Sequence, residues 1–114
     1  MDNIKQILGE SSFDKRERNV SAKELLKKVA DFYDISVEDL MGPRRNKELV
    51  NPRQIAAYLL REELNLSFPK IGKELGGKDH TTIMHACNKV GRELKFNDII
   101  KHEINSIKEK LFSY

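Results

Sequence analysis

Apolar residues recur at helical spacing along most of the chain, and no stretch alternates with the period of two that marks a strand. Ala22, Leu25, Leu26, Val29 and Phe32 form the first strong stripe. It is opened by Ser21-Ala22-Lys23-Glu24, whose serine and glutamate stand at capping-box spacing. Ser36-Val37-Glu38-Asp39 predicts a second, shorter helix, ended by Gly42-Pro43. A basic, non-periodic stretch follows, Pro43-Arg44-Arg45-Asn46-Lys47, and then Glu48, Leu49 and Val50. Asn51-Pro52 predicts the start of a long helix, a capping side chain followed by a proline whose missing N–H costs nothing there. Along that helix Ile55, Ala56, Leu59 and Leu60 turn inward, and Gln54, Ala57 and Arg61 share the opposite face. Ser67 opens a short helix with Ile71 and Leu75 inward, and Gly76-Gly77 stops it. Asp79 is placed to cap the next helix, whose core stripe is Ile83, Ala86, Cys87, Val90 and Leu94. Past Phe96-Asn97 a last helix carries Ile100, Ile104, Ile107 and Leu111 inward. The pattern predicts an all-α fold, a small helical bundle over residues 21–114. Residues 1–20 read differently: Ile4, Ile7 and Leu8 suit one face of a short helix, but Gly9 to Asn19 is polar and mixed in charge. We read that segment as a connector, the remnant of a linker helix.

Composition narrows the class without choosing a function. A chain of 114 residues, 39% hydrophobic and 34% charged, has room for one domain with a modest core. Its single cysteine excludes an internal disulfide and suits a reducing compartment. No apolar run reaches the length of a transmembrane span, and Met1-Asp2-Asn3-Ile4 lacks the layout of a signal peptide, so the expected location is the cytoplasm. The net charge of +3 leans toward a polyanionic partner, but only weakly.

The chemistry concentrates between Gly76 and Arg92. Two short helices joined by a glycine turn have the pattern of a helix-turn-helix, whose second helix lies in the major groove with its N-terminal residues at base edges. At 100° per residue Thr81, His85, Asn88 and Arg92 fall on one stripe, turned away from Ile83, Val90 and Leu94. Asp79 can accept from a cytosine amino group, a threonine methyl can pack on thymine, and His80 can donate to or accept from a base edge. Lys78 and the free N–H groups of the helix start favour phosphate. The blander reading is a solvated face behind an ordinary helix cap.

Gly72-Lys73-Glu74-Leu75-Gly76-Gly77-Lys78 also satisfies the spacing of a phosphate-binding loop. Asp79 then stands where Ser or Thr must reach Mg²⁺, and the segment follows a helix instead of a strand, so no nucleotide cofactor is expected. His80 and His85 project about 140° apart on a helix and cannot share a metal as an i, i+4 pair would. His102 has no ligand-spaced partner, and Cys87 sits on a core stripe without an evident cationic activator. No catalytic set emerges.

A second basic block precedes the long helix. Arg44, Arg45 and Lys47 suit an arm entering a narrow, A·T-rich minor groove, and Arg53 and Gln54 suit phosphates beside it. A solvated charged loop is the competing account, and Glu48 argues for it by diluting the charge. Arm and helix together would span a minor and an adjacent major groove.

Pro52-Arg53-Gln54-Ile55-Ala56, followed by Gly76-Gly77-Lys78-Asp79-His80-Thr81-Thr82 and Ile83-Met84-His85-Ala86, closely resembles the C-terminal DNA-binding domain of the bacterial replication initiators, the DnaA family. The resemblance runs from about Ser21 to Leu111. It implies monomeric binding to double-stranded DNA at short A·T-rich origin boxes, and a nucleoid-associated location in the cytoplasm. It also implies that Arg45 enters the minor groove and that Asp79, His80, Thr81 and Thr82 read the major groove. Arg53, Gln54, Arg61 and Lys78 would hold or approach the backbone, joined by Arg44 and Lys47 from the arm. Lys78 and Lys47 stand where the family usually has arginine, which keeps charge but loses bidentate geometry. Glu48 and Asn51 stand where small or basic residues are usual. Residues 1–20 look similar to the end of the family's ATPase domain and its connector, the ATPase itself lying outside this chain. A fragment, a truncated product and a stand-alone module all fit that. The competing function is a helical module that binds a protein regulator through the same face.

Overall fold

The structure, a computed structural model, describes residues 20–43 and 46–112. The expected connector over residues 1–20 and the arginines Arg44 and Arg45 therefore lie outside the described residues, save for Val20. Helix α1 spans Ala22–Tyr33. The Glu24 amide donates to Ser21 Oγ at 3.1 Å and the Ser21 amide to Glu24 Oε1 at 3.1 Å, so both halves of the capping box are formed. Helix α2, Val37–Met41, starts on Ser36, whose hydroxyl accepts from the Asp39 amide at 2.9 Å, and ends at Gly42.

Helix α3, Lys47–Leu64, begins earlier than Asn51-Pro52 suggests. Pro52 lies inside it and is buried, one turn after Leu49, which is 2% exposed. Leu49, Pro52, Ile55, Ala56 and Leu59 make one continuous inward stripe, and burying Leu49 extends the helix by a turn at the cost of one ladder hydrogen bond. Ala57 also departs from expectation. It is 1% exposed, because α3 is the central helix, packed against α1 on one side and α5 on another. A central helix has no fully solvated face at such a position.

Helix α4, Phe68–Glu74, is capped by Ser67, and α5, His80–Glu93, by Asp79. Helix α6, Asp98–Phe112, starts on Asn97, whose Oδ1 accepts from the Ile99 and Ile100 amides at 3.1 and 3.2 Å. It lies against α1 through Ile100, Ile104, Ile107 and Leu111, all buried. Tyr33 of α1 donates to Glu103 Oε1 of α6 at 2.7 Å, and burial together with that carboxylate pushes the phenol well above its ordinary value. Among the described residues there is no strand and no buried charged side chain, so the all-α expectation holds. No helix of the described residues is long and apolar enough to cross a membrane.

The α4–α5 turn is held in a narrow conformation. Gly76 and Gly77 both have positive φ, +83° and +89°. A Cβ on Gly76 would run into the Met41 carbonyl oxygen at the end of α2, whereas one on Gly77 would meet nothing. Gly76→Ala should therefore destabilise the domain by at least about 2 kcal/mol, left-handed strain plus a backbone clash, and Gly77→Ala by about 1 kcal/mol from strain alone. Urea midpoints of the two variants check this, and equal losses would show that the turn does not press on α2.

Candidate nucleic-acid interface

Helices α4 and α5 and the turn between them form the helix-turn-helix. Within the turn the Gly77 and Lys78 amides both donate to the Gly72 carbonyl at 2.9 Å, and the Gly76 amide to the Lys73 carbonyl at 3.2 Å. These N–H groups close the end of α4 instead of opening outward, which is not the cradle a phosphate loop provides.

At the other end of the turn Asp79 Oδ2 accepts from the Thr81 amide at 3.0 Å. That bond fixes the first turn of α5 and leaves the carboxylate about two-thirds exposed, beside an equally open His80 at 4.0 Å. Thr81 and Thr82 are exposed next to them. His85, Asn88 and Arg92 continue the exposed stripe along α5, while Ile83, Cys87 and Val90 are buried under it. The structure thus brings Asp79, His80, Thr81 and Thr82 together on one edge, free of the core.

A groove of about 520 Å³ runs between the first half of α3 and this face of α5. Its floor includes Ala57, Leu75 and Ile83, and its rim includes Gln54, His85 and Arg92. Lys89 Nζ bridges it, donating to Gln54 Oε1 at 3.1 Å and lying 3.4 Å from Glu93 Oε2. Lys89 went unnoticed in the sequence, although it stands four residues after His85 and so belongs beside that stripe. Val50, an exposed apolar residue on the α3 side of the groove, carries no sequence signal of its own.

The other cations expected at the backbone separate into two groups. Lys47 is exposed at the start of α3. Arg53, Lys78 and Arg61 instead turn toward the protein's own carbonyls. Arg53 Nε donates to the Leu40 carbonyl at 3.0 Å, and its Nη2 to those of Asp39 and Gly42 at 2.7 and 2.9 Å. Lys78 Nζ donates to the carbonyls of Met41, Gly42 and Leu75 at 3.3, 3.1 and 3.1 Å. Burial first, and then the charge of Arg53, lowers the Lys78 pKa. Arg61 Nη1 donates to the Leu66 carbonyl at 3.0 Å, and its guanidinium lies 4.4 Å from the centre of the Phe68 ring. Arg44 and Arg45 fall outside the described residues. Among the described residues no three His, Cys, Asp or Glu side chains come together in a way that could hold a metal ion.

The fold and this exposed edge define a helix-turn-helix domain. A family model described as the bacterial dnaA protein helix-turn-helix matches residues 22–90. The chain belongs to that family. It is 47% identical over 97 residues to the chromosomal replication initiator protein DnaA of Limosilactobacillus reuteri (strain DSM 20016), covering 85% of this chain and 22% of that protein. With the protein of the same name from Roseiflexus castenholzii it shares 39% over 98 residues, covering 86% and 20%. A solved crystal structure of a DNA replication initiation factor superposes with a TM-score of 0.71 at 32% identity, over 87% of this chain and 30% of that one. The chain thus spans about a fifth of the length of these curated relatives.

Cys87, 7% exposed under the α5 stripe, offers a check on how tightly that helix is held. Burial pushes its thiol up to about 11, against a weaker opposing pull from Arg61. Iodoacetamide at about pH 8 should modify it at least about tenfold more slowly in the native protein than in urea. Between the ordinary thiol value of 9.0 and the folded value of about 11 only the unfolded chain has lost the proton. The thiol's contribution to stability is therefore complete below that window and is lost as pH rises through it. Thermal midpoints should fall across the window, less steeply for Cys87→Ala.

Proposed function

We propose that this chain is a sequence-specific, double-stranded-DNA-binding domain that acts at A·T-rich origin boxes in the initiation of bacterial chromosome replication. The observation that carries the reading is the exposed edge Asp79-His80-Thr81-Thr82 at the start of α5, held by a side-chain cap on a helix-turn-helix of the DnaA family. Helix N-termini of this kind enter the major groove, where a carboxylate, an imidazole and hydroxyl and methyl groups distinguish base pairs. Arg45 reads the neighbouring minor groove, with Arg44 and Lys47 on phosphates. Gln54, on the rim of the groove beside α5, approaches the backbone there. The module binds as a monomer on the nucleoid and contributes no catalysis of its own.

The apolar floor of the groove between α3 and α5, together with exposed Val50, favours a second reading, a docking face for a protein regulator. Salt separates the two. Counterion release makes DNA affinity fall steeply with ionic strength, whereas burial of an apolar groove changes little.

Thr81→Ala and His80→Ala should each lose about 1–3 kcal/mol of discrimination between an origin box and a scrambled duplex while keeping the non-specific baseline. Mobility-shift titrations measure this, and equal affinity of the unmutated protein for both duplexes would defeat the specific reading. Arg45→Ala should weaken binding most on A·T-rich duplexes, where the minor groove is narrow. Unchanged affinity there would make the arm a solvated loop.

A further inference from the structure

Helices α3 and α5 pack together, yet part of the space between them stays open as the groove of about 520 Å³. Clefts that take a ligand are commonly about 300–1,000 Å³. Two of the side chains lining it are single methyl groups, Ala57 of α3 and Ala86 of α5, too short to fill it. The floor of Ala57, Leu75 and Ile83 has no side-chain donor to offer a phosphate, so whatever fills it is apolar. Val50 extends the apolar surface on the α3 side and is 45% exposed, left uncovered by the fold itself. The charges around this floor are of one sign: cations line the groove, and among the described residues no Asp or Glu does. Lys89 and Arg92 are the exposed ones, both on α5. Lys89 meets Glu93, which lies outside the lining, whereas Arg92 makes no ion pair among the described residues. At 1.5 Å per residue the α3 wall from Val50 to Ala57 is about 10 Å long and the α5 wall from Thr82 to Arg92 about 15 Å, the length of two to three helical turns.

Taking up the docking reading given above, we propose that the α3–α5 groove receives an amphipathic helix of a partner protein, apolar on the face it buries and acidic along its flanks, and that this helix and DNA exclude one another. Anchors at i, i+3, i+4 and i+7 span about two turns, which matches the walls of the groove. They displace water from the floor of Ala57, Leu75 and Ile83. Asp or Glu on the flanks meets Lys89 and Arg92, which orient the helix and speed its arrival more than they add affinity. A basic helix meets like charge at the same rim and is rejected. Thr82 lines the groove and also belongs to the base-reading edge, and His85 and Arg92 to the stripe that continues it. An occupant therefore covers part of the surface a duplex needs, and it releases DNA without any change of fold. The exclusion rests on the DNA-binding reading; the docking itself does not.

The test is a selection on the immobilised protein from a library of helical peptides of about 14 residues, with Leu, Ile, Phe or Met at i, i+3, i+4 and i+7 and random polar residues elsewhere. Enriched peptides should carry Asp or Glu beside the apolar face at least about threefold more often than Lys or Arg. The most enriched peptide, fluorescein-labelled, should bind Ala86→Leu, whose groove is filled, about tenfold more weakly by anisotropy, and Val50→Ser and Arg92→Gln about threefold more weakly or worse. Val50→Ser should keep its affinity for a duplex that the unmutated protein enriches from a random pool, and unlabelled peptide should displace that duplex. Three results overturn the docking: enrichment no greater than on bare beads, flanks that come out neutral or basic, or peptide affinity unmoved in both Ala86→Leu and Val50→Ser. Peptide and duplex bound together on one molecule overturn the exclusion. If the unmutated protein prefers no duplex, the DNA reading fails instead, and the docking stands or falls on the selection and the variants. Should Ala86→Leu not fold, Val50→Ser and Arg92→Gln, both at exposed side chains, carry the same comparison.

Discussion

A helix of five residues ends with as many unsatisfied carbonyls as a long one, but has no length over which to recover the cost. Helix α2 meets this constraint by borrowing donors, and the rest of the domain is arranged around the loan. The guanidinium of Arg53 and the ammonium of Lys78 both reach the Gly42 carbonyl, at 2.9 and 3.1 Å, the first from α3 and the second from the α4–α5 turn. Leaving one such oxygen without a partner costs about 1–3 kcal/mol, and charged donors give the stronger bonds. Because the donors sit on α3 and on the α4–α5 turn, satisfying α2 also fixes how the helix-turn-helix lies against the central helix. Gly76 then fits closely beneath Met41, and its positive φ follows from that closeness as much as from the reversal of the chain.

Most of the fold was legible because its elements carry their own punctuation. Ser21, Ser36, Ser67 and Asp79 each cap the helix expected of them, and the stripe Ile100, Ile104, Ile107 and Leu111 is the buried face of α6. The one misplaced start shows where local rules lose. Asn51-Pro52 is a sound start signal, yet Leu49 can be buried only if the helix already exists one turn earlier. Core burial outweighed a cap, and the proline was absorbed into the second turn. Ala57 was misread for a similar reason, since periodicity reveals one apolar stripe but not that a helix will be covered from two sides.

The candidate site was legible in a different proportion. The edge Asp79 to Thr82 and the stripe His85, Asn88 and Arg92 could be placed by helical geometry alone, and they are exposed on one face. What charge type could not reveal is where a cation's donors point. Arg53 and Lys78 suit phosphate in sequence because both stand beside helix starts, yet they donate to carbonyls 11 to 37 positions away along the chain, and Lys78 also to that of Leu75. Such partners emerge only once α2 has folded back. Arg61 is similar in kind, its guanidinium held between the Leu66 carbonyl and the Phe68 ring.

This division of labour bears on how a weakly charged chain could bind a polyanion. A net charge of +3 over 114 residues creates no strong overall field, so affinity has to come from a few cations held at the right separations. Arg53, Arg61 and Lys78 spend donors on the protein's own carbonyls. The contribution of Arg53 and Lys78 is structural: they hold the end of α2 to α3 and to the α4–α5 turn, behind the exposed edge Asp79 to Thr82. Preorganisation of that kind raises affinity by reducing the ordering needed on binding, not by adding contacts. It also raises selectivity, because a fixed edge rejects a partner whose groups are misplaced, whereas a mobile edge would adapt to it.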